Sequence, residues 1–325
     1  MTIRERKLGA ATRDAYGEAL VDLGKANPKV VVLDADLSKS TKTNGFAKAF
    51  PDRFLNVGIA EANLAGMAAG IATTGLVPFA SSFASFLMAK TFDQLRMGVA
   101  NPQVNAKFVG SHGGISLGED GASQQSVEDI ALAVALPHFH VLVPSDGVCC
   151  KGLVKSIAEH HGPVFMRTGR PKAPVIYGDG EQFPLGGSKT LQTGTDVTIV
   201  ANGLLVFEAL QAADMAKEAG LSVGVIDAYS VKPIDEQAII AAARQSGAIL
   251  TAEEHLTTGA LGAMVAQVCA EHAPVPMRFV GLKDRYSESG TPEALMEAYG
   301  FTAKHLFDEV KALVERKKAL QPVAR

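Results

Sequence analysis

Glu61, in Gly58-Ile-Ala-Glu-Ala-Asn63, is an acid placed where the local pattern predicts burial. It opens a helix expected from the small, apolar run Leu64-Ala-Gly-Met-Ala-Ala-Gly-Ile-Ala72, just after the strand-like Arg53-Phe-Leu-Asn-Val57. A carboxylate there gains from the helix macrodipole. Among apolar neighbours it is still costly without a partner. The plain alternative is a first-turn acid that serves only its helix. The surroundings outweigh it: Ser82-Phe-Ala-Ser-Phe86 brings two rings, and Gly110 to Gln124 is a polar, glycine-rich run. Asp34 and Asp36 close an apolar strand, the place where α/β sheets put ligands, although Asp34 could equally cap the next turn. Arg13, Ser40, His112 and Arg170 are far apart in sequence, yet each falls where the top of one sheet is expected. Arginine suits forked hydrogen bonding of phosphate, and glycines beside His112 permit close approach of a backbone or ligand. Taken singly, Arg13 reads as a surface helix residue, Ser40 as a cap, Arg170 and Glu119 as loop charges, and Phe83 and Phe86 as core.

These residues need a scaffold, and the chain's alternation of β-branched runs with helical stretches predicts α/β layers with largely parallel sheets. Strands are expected at Val30–Leu33, Phe54–Val57, Lys107–Val109, Val141–Val143 and Val164–Met166, with helices near 12–25, 60–73, 85–99, 126–135 and 147–160. Ser126-Val-Glu-Asp129 has the form of a capping box. Pro171-Lys-Ala-Pro174 and Tyr177 to Pro184 are rich in turn formers and read as a linker. The alternation then restarts at Val197–Val200, Val223–Ile226, Ala248–Leu250 and Arg278–Val280, with helices near 205–219, 235–246 and 260–271. Lys304 to Leu320 repeats apolar residues at helical spacing, and its Arg316-Lys-Lys end reads as a solvated terminus.

With 325 residues the chain has room for two cores. Net charge −3 gives no case for a nucleic-acid or lipid surface. Cys149, Cys150 and Cys269 offer neither a disulfide framework nor a zinc motif. The start, Met1-Thr-Ile-Arg-Glu-Arg-Lys, lacks the apolar core of a secretory signal, and no run approaches a membrane span, so a cytoplasmic location is expected.

Glu61, the two phenylalanines and the 110–124 loop together resemble the pyrimidine-binding domain of a thiamine diphosphate enzyme, specifically one of the transketolase family. The resemblance covers nearly the whole chain. Its motifs are Ala11-Thr-Arg-Asp-Ala-Tyr-Gly17, Pro51-Asp-Arg-Phe54, Phe92-Asp-Gln-Leu-Arg-Met97, Gly110-Ser-His112, Gly118-Glu-Asp-Gly121, Pro144-Ser-Asp-Gly147 and Arg167-Thr-Gly-Arg-Pro171. It implies a pyrimidine-binding domain over 1–172, a linker over 173–188 and a transketolase C-terminal domain over 189–325. It implies that Glu61 hydrogen-bonds the remote ring nitrogen of the cofactor's pyrimidine and drives its tautomeric shift, being poorly satisfied until the cofactor arrives. Phe86 then stacks on the pyrimidine and Phe83 completes an apolar wall. Asp36 and Leu37 lie beside the thiazolium, and Gln124 beside cofactor and donor. Arg13, Ser40, His112 and Arg170 hold the acceptor's phosphate. Asp120 reads the hydroxyl next to the reacting carbonyl, and His112 also contributes to proton transfer. Some family members carry a third aromatic where this chain has Ala89 or Lys90.

A complete transketolase opens with a domain that binds the diphosphate through a metal, marked by Gly-Asp-Gly and a downstream Asn. Gly178-Asp-Gly180 with Asn202 is too closely spaced and sits in the linker, so it reads as a coincidence and no metal ligand is assigned. The resemblance therefore implies one subunit of a split transketolase, inactive alone. An N-terminal partner subunit would bring the diphosphate site and Mg²⁺, in an α2β2 assembly containing a homodimer of this chain. The expected reaction moves a two-carbon ketol unit between sugar phosphates, with pentose-phosphate sugars as the default. The nearest rival, the beta subunit of a 2-oxo acid dehydrogenase, shares the domains and the acid. The Gly118–Gly121 loop with His112 and Arg170 favours sugar phosphates over it. A 1-deoxyxylulose-phosphate synthase fragment fits the 110–124 loop less well. A non-catalytic, transketolase-like binding protein is disfavoured by retention of Glu61 with the whole phosphate set. Glu253-Glu-His255 reads as structural.

Overall fold

The computed structural model describes residues 3–320; Met1, Thr2 and residues 321–325, included in the ranges above, lie outside them. In the first half, Leu8–Ala11 (β1) leads into Thr12–Ala26 (α1) and Val30–Asp34 (β2). Ser38–Thr41 (α2), Asn44–Ala49 (α3), Phe54–Asn56 (β3), Glu61–Thr73 (α4) and Val77–Phe83 (β4) follow. Next come Ala84–Ala89 (α5), the single turn Phe92–Gln94 (α6), Lys107–Ser111 (β5), Asp129–Ala135 (α7) and His140–Leu142 (β6). Gly147–Glu159 (α8), Val164–Arg167 (β7) and Lys172–Pro174 (β8) complete this half. The second contains Lys189–Gln192 (β9), Val197–Ala201 (β10), Leu205–Glu218 (α9), Val223–Asp227 (β11), Ser230–Lys232 (β12) and Glu236–Ser246 (α10). Ile249–Leu256 (β13), Leu261–His272 (α11), Met277–Leu282 (β14), Pro292–Ala298 (α12) and Ala303–Leu320 (α13) end it.

Val30 and Val32 of β2 pack on one side, Val31 and Leu33 on the other, so the strand needs cover on both faces. Helices α1, α3 and α8 supply Tyr16, Phe46 and Leu153 to one core, and α4, α5 and α7 supply Leu64, Leu87 and Ile130 to the other. The resulting sheet runs β12-β6-β7-β5-β4-β2-β3. It is parallel except for β12. A second sheet, β14-β13-β10-β11-β9, is parallel except for β9 and lies between α9 with α13 and α10 with α11. The chain is thus α/β, as expected.

Four differences from the expectation have clear causes. Strand β4, central to the first sheet, was not expected; Val77-Pro-Phe-Ala-Ser-Ser-Phe83 has few β-branched residues and a proline. Pro78 is tolerated because it pairs only with β2, the β5 ladder beginning at Phe79. The helix expected over 85–99 is broken: the Thr91 hydroxyl turns back onto the Leu87 carbonyl, and residues 95–100 form a π-type turn. The capping box does not form: the helix begins only at Asp129, and the buried Arg167 takes the Asp129 carboxylate. Lys317, expected in solvent, donates to the carbonyls of Thr195, Asp196 and Ser246 at 3.3, 3.1 and 2.6 Å.

The stretch read as a linker is packed rather than loose. Strand β8 pairs with β1, and Asp146 both caps α8 and accepts from the Ile176 and Tyr177 amides at 2.9 Å each. Tyr177 then donates to the buried Asp227 at 2.7 Å, tying this strap to the second half. Burial pushes the Asp227 carboxyl up to about 7. Asp179 of Gly178-Asp-Gly180 is exposed, whereas Asn202 is buried.

Candidate active site

Strands β3, β2, β4, β5 and β7 are adjacent and parallel, so the residues that follow them gather along one carboxyl edge. Glu61 follows β3; Asp36, Leu37 and Ser40 follow β2; Phe83 ends β4 and Phe86 lies in the first turn of the next helix; His112 follows β5; Arg170 follows β7.

Glu61 is only 4% exposed, in the first turn of α4, a helix whose Ala60 cap offers no side chain to the free amides. The expectation that it lacks a partner is corrected: Lys90 Nζ lies 3.0 Å from Glu61 Oε2. Lys90 occupies the neighbourhood where a third aromatic was wanting, and its ammonium sits 4.8 Å from the Phe86 ring centre. Phe86 and Phe83 stack at 5.6 Å, and Phe83 in turn meets the His112 ring at 3.9 Å. Phe86 is half-buried, while Phe83 is buried.

His112 is held on the far side. Arg13 Nη1 lies 3.0 Å from His112 Nε2 and 3.2 Å from the Ser40 carbonyl. A guanidinium only donates, so Nε2 is the acceptor and the proton rests on Nδ1, which donates to Ser111 Oγ at 2.7 Å. Burial first, then the charges of Arg13, Arg170 and Lys42, push the His112 imidazole down to about 3. With both ring nitrogens engaged, the imidazole holds Arg13 in place.

Arg170 donates to the Leu117 carbonyl at 2.6 Å and to Glu119 at 3.2 Å. Lys42, which the sequence reading passed over, pairs with Asp14 at 3.0 Å and adds its charge to the His112 surroundings. Arg13 Nε is buried without a partner. Three cations against Asp14 and Glu119, with a spare guanidinium N–H, make a cradle suited to an anion.

The remaining candidates are less convergent. Asp36, in the left-handed region at φ 67°, exchanges hydrogen bonds with Asn56 at 3.0 and 3.1 Å and so ties β2 to β3. Leu37 is half-buried, and its amide donates to Asp34 at 2.6 Å; Asp34 also accepts from Thr41 and Thr43, so it holds the turn. Gln124 is anchored to α5 through its carbonyl, which accepts from Ser85 at 3.2 Å. Asp120 is exposed on its turn.

The glycines after His112 serve a different partner from the one expected. A Cβ at Gly113 would strike the Arg167 side chain, and one at Gly114 the Glu254 carboxylate. Both belong to a buried cluster joining the halves: Arg167 pairs with Asp129, and Glu254 accepts from Ser116 Oγ at 3.1 Å and from its amide. Glu253 accepts from the Leu261 and Gly262 amides at 2.9 and 2.8 Å, capping α11. Among the described residues no group of three or more His, Cys, Asp or Glu side chains could hold a metal ion, and no helix is long and apolar enough to cross a membrane.

A buried acid, an aromatic face and a cluster of cations thus share the carboxyl edge of a doubly wound α/β sheet. The chain belongs to the transketolase family: residues 9–175 match the transketolase pyrimidine-binding domain and residues 186–306 the transketolase C-terminal domain. It is 42% identical over 306 residues to a putative transketolase C-terminal section of Methanocaldococcus jannaschii, covering 92% of this chain and 96% of that one. It is 37% identical over 305 residues to a 6-deoxy-6-sulfo-D-fructose transketolase subunit of Clostridium sp. (strain MSTE9), covering 94% and 95%. A split-gene transketolase structure, described as an inactive beta4 tetramer, superposes with a TM-score of 0.90 at 47% identity, covering 95% of this chain and all of that one.

Proposed function

We propose that this chain is the β-type subunit of a split, thiamine diphosphate-dependent transketolase, moving a two-carbon ketol unit from a ketose phosphate to an aldose phosphate. One observation carries the reading: an unbroken run of contacts from Arg13 through His112, Phe83, Phe86 and Lys90 to Glu61. It joins an anion cradle to a buried acid across an aromatic wall. Relatives of nearly the same span favour a two-chain enzyme.

The residues present fit the cofactor's aminopyrimidine. Glu61 is a buried acid that can share a proton with a ring nitrogen, and Phe86 offers a face for stacking. When bound, thiamine diphosphate supplies the nucleophilic carbon that accepts the ketol unit. Glu61 would hold and return the proton at the pyrimidine end, while Phe83 and Phe86 would orient the ring and keep water from it. Arg13, Arg170 and Lys42 would grip the acceptor's anionic group, with His112 aligning Arg13. An N-terminal partner subunit would supply the diphosphate and Mg²⁺ site, leaving this subunit inactive alone. We place the assembly as α2β2 in the cytoplasm, acting on pentose-phosphate sugars.

The test is reconstitution with a diphosphate-binding partner subunit and a screen of donors and acceptors. No ketol product from any sugar phosphate, despite bound cofactor, would defeat the proposal. Arg170→Ala should raise the KM for phosphorylated acceptors about 10- to 100-fold, since it removes charge-assisted hydrogen bonds that act as uniform binding. An equal loss with unphosphorylated aldehydes would remove Arg170 from the phosphate site.

A further inference from the structure

Lys90 lies at a break in the backbone. Helix α5 ends at Ala89, and a new turn starts at Phe92. The lysine between them leaves the helix with its side chain 51% exposed, while its ammonium reaches back to a carboxylate that is 4% exposed. It therefore ends between the two groups that the proposed function assigns to the cofactor's pyrimidine: Glu61, at 3.0 Å, and the face of Phe86, at 4.8 Å. A ring stacked on Phe86 with a nitrogen turned to Glu61 would need the volume that this ammonium fills. Both cannot be there at once.

The arrangement answers a physical problem of a buried carboxylate. A carboxylate at this depth is expensive when unpaired, and α4 brings no capping side chain to relieve it. The lysine meets the need at modest cost, because its long stem stays in water and is easily swung aside. A fixed, fully buried cation would hold Glu61 too firmly for a ligand to take over.

We propose that Lys90 is a displaceable latch: its ion pair with Glu61 over Phe86 competes with the pyrimidine for one seat, and the lysine swings out when the cofactor enters. This rests on the reading of Glu61 as the cofactor's acid. The latch is a positioning residue, acting through Glu61. Because the ion pair competes with the cofactor, its removal should tighten binding, whereas loss of a supporting or directly contacting residue would weaken it. The sign alone separates the two.

The measurement is calorimetric titration of thiamine diphosphate, with Mg²⁺, into this subunit reconstituted with its diphosphate-binding partner. Lys90→Met keeps the stem and loses the charge, and should bind the cofactor about two- to fivefold more tightly, the range for a half-exposed ion pair. Lys90→Arg should bind as the parent does. In a Glu61→Gln background, Lys90→Met should change nothing, since the competing pair is already gone. Unchanged or weaker binding by Lys90→Met, or a Lys90→Arg protein that behaves like it, would overturn the latch. A Glu61→Gln enzyme with normal turnover would instead remove the reading beneath it. An inactive Glu61→Gln enzyme together with an indifferent Lys90→Met protein would defeat the latch alone.

Discussion

Glu61→Gln should lower the ketol-transfer turnover of the assembled enzyme by about 10²- to 10⁴-fold, the usual contribution of a positioned general acid or base. The amide has the same shape and can still hydrogen-bond, but it cannot take up or release a proton at neutral pH. The fold should barely notice. The variant gives up one ion pair whose lysine is half in water, worth about 1 kcal/mol or less. Turnover measured beside a urea unfolding curve separates the two effects. Activity within threefold of the parent would end the acid's role, and a collapsed unfolding midpoint would mean that Glu61 is structural.

Arg167→Met should cost about 3–5 kcal/mol of stability, because it strands a buried carboxylate. Arg167 and Asp129 are 5% and 0% exposed, and the guanidinium also donates to the carbonyls of Glu254 and Ser126 at 2.8 and 2.9 Å. Burial alone would raise the Asp129 carboxyl; the Arg167 charge and hydrogen bonds outweigh it and hold the group below its ordinary value. Its stabilising effect is therefore complete above the unfolded value of about 4 and is lost as pH falls through the depressed folded value. In the variant the sign reverses. A stranded Asp129 prefers its proton when folded, so stability is lost as pH rises from about 4. The gap between parent and variant in urea midpoint should widen between about pH 4 and 7. A gap that is absent or flat across that range would refute this account. Adding Asp129→Leu should recover part of the loss, the two carbonyls remaining unpaired.

What the sequence disclosed depended on how local each signal was. Glu61 stood out because an ionisable residue interrupts a run of small apolar ones, and strands such as Val30–Asp34 carry their burial in their composition. Strand β4 was hidden because its place at the sheet's centre is set by neighbours far along the chain, not by its own Pro, Ala and Ser. Arg13, Ser40, His112 and Arg170 were raised together only by the family resemblance, Arg13, Ser40 and Arg170 reading as ordinary when taken singly; their meeting at one edge needs the strand order. Lys42 and Lys90 were out of reach for the same reason, since a lysine's role depends on where its ammonium ends. The pair of glycines after His112 did announce a close approach, but not that Arg167 and Glu254 make it.

Strand β12 comes from the second half yet completes the edge of the first sheet, pairing with β6 through Ser230 and Lys232. A gene trimmed after the strap would therefore encode a half with a raw, unpaired ladder along β6. Such an edge is a template for other chains, so the shortened product should scatter light and precipitate where the parent stays clear. Any attempt to borrow this cofactor half-site as a free-standing module has to carry those three distant residues with it.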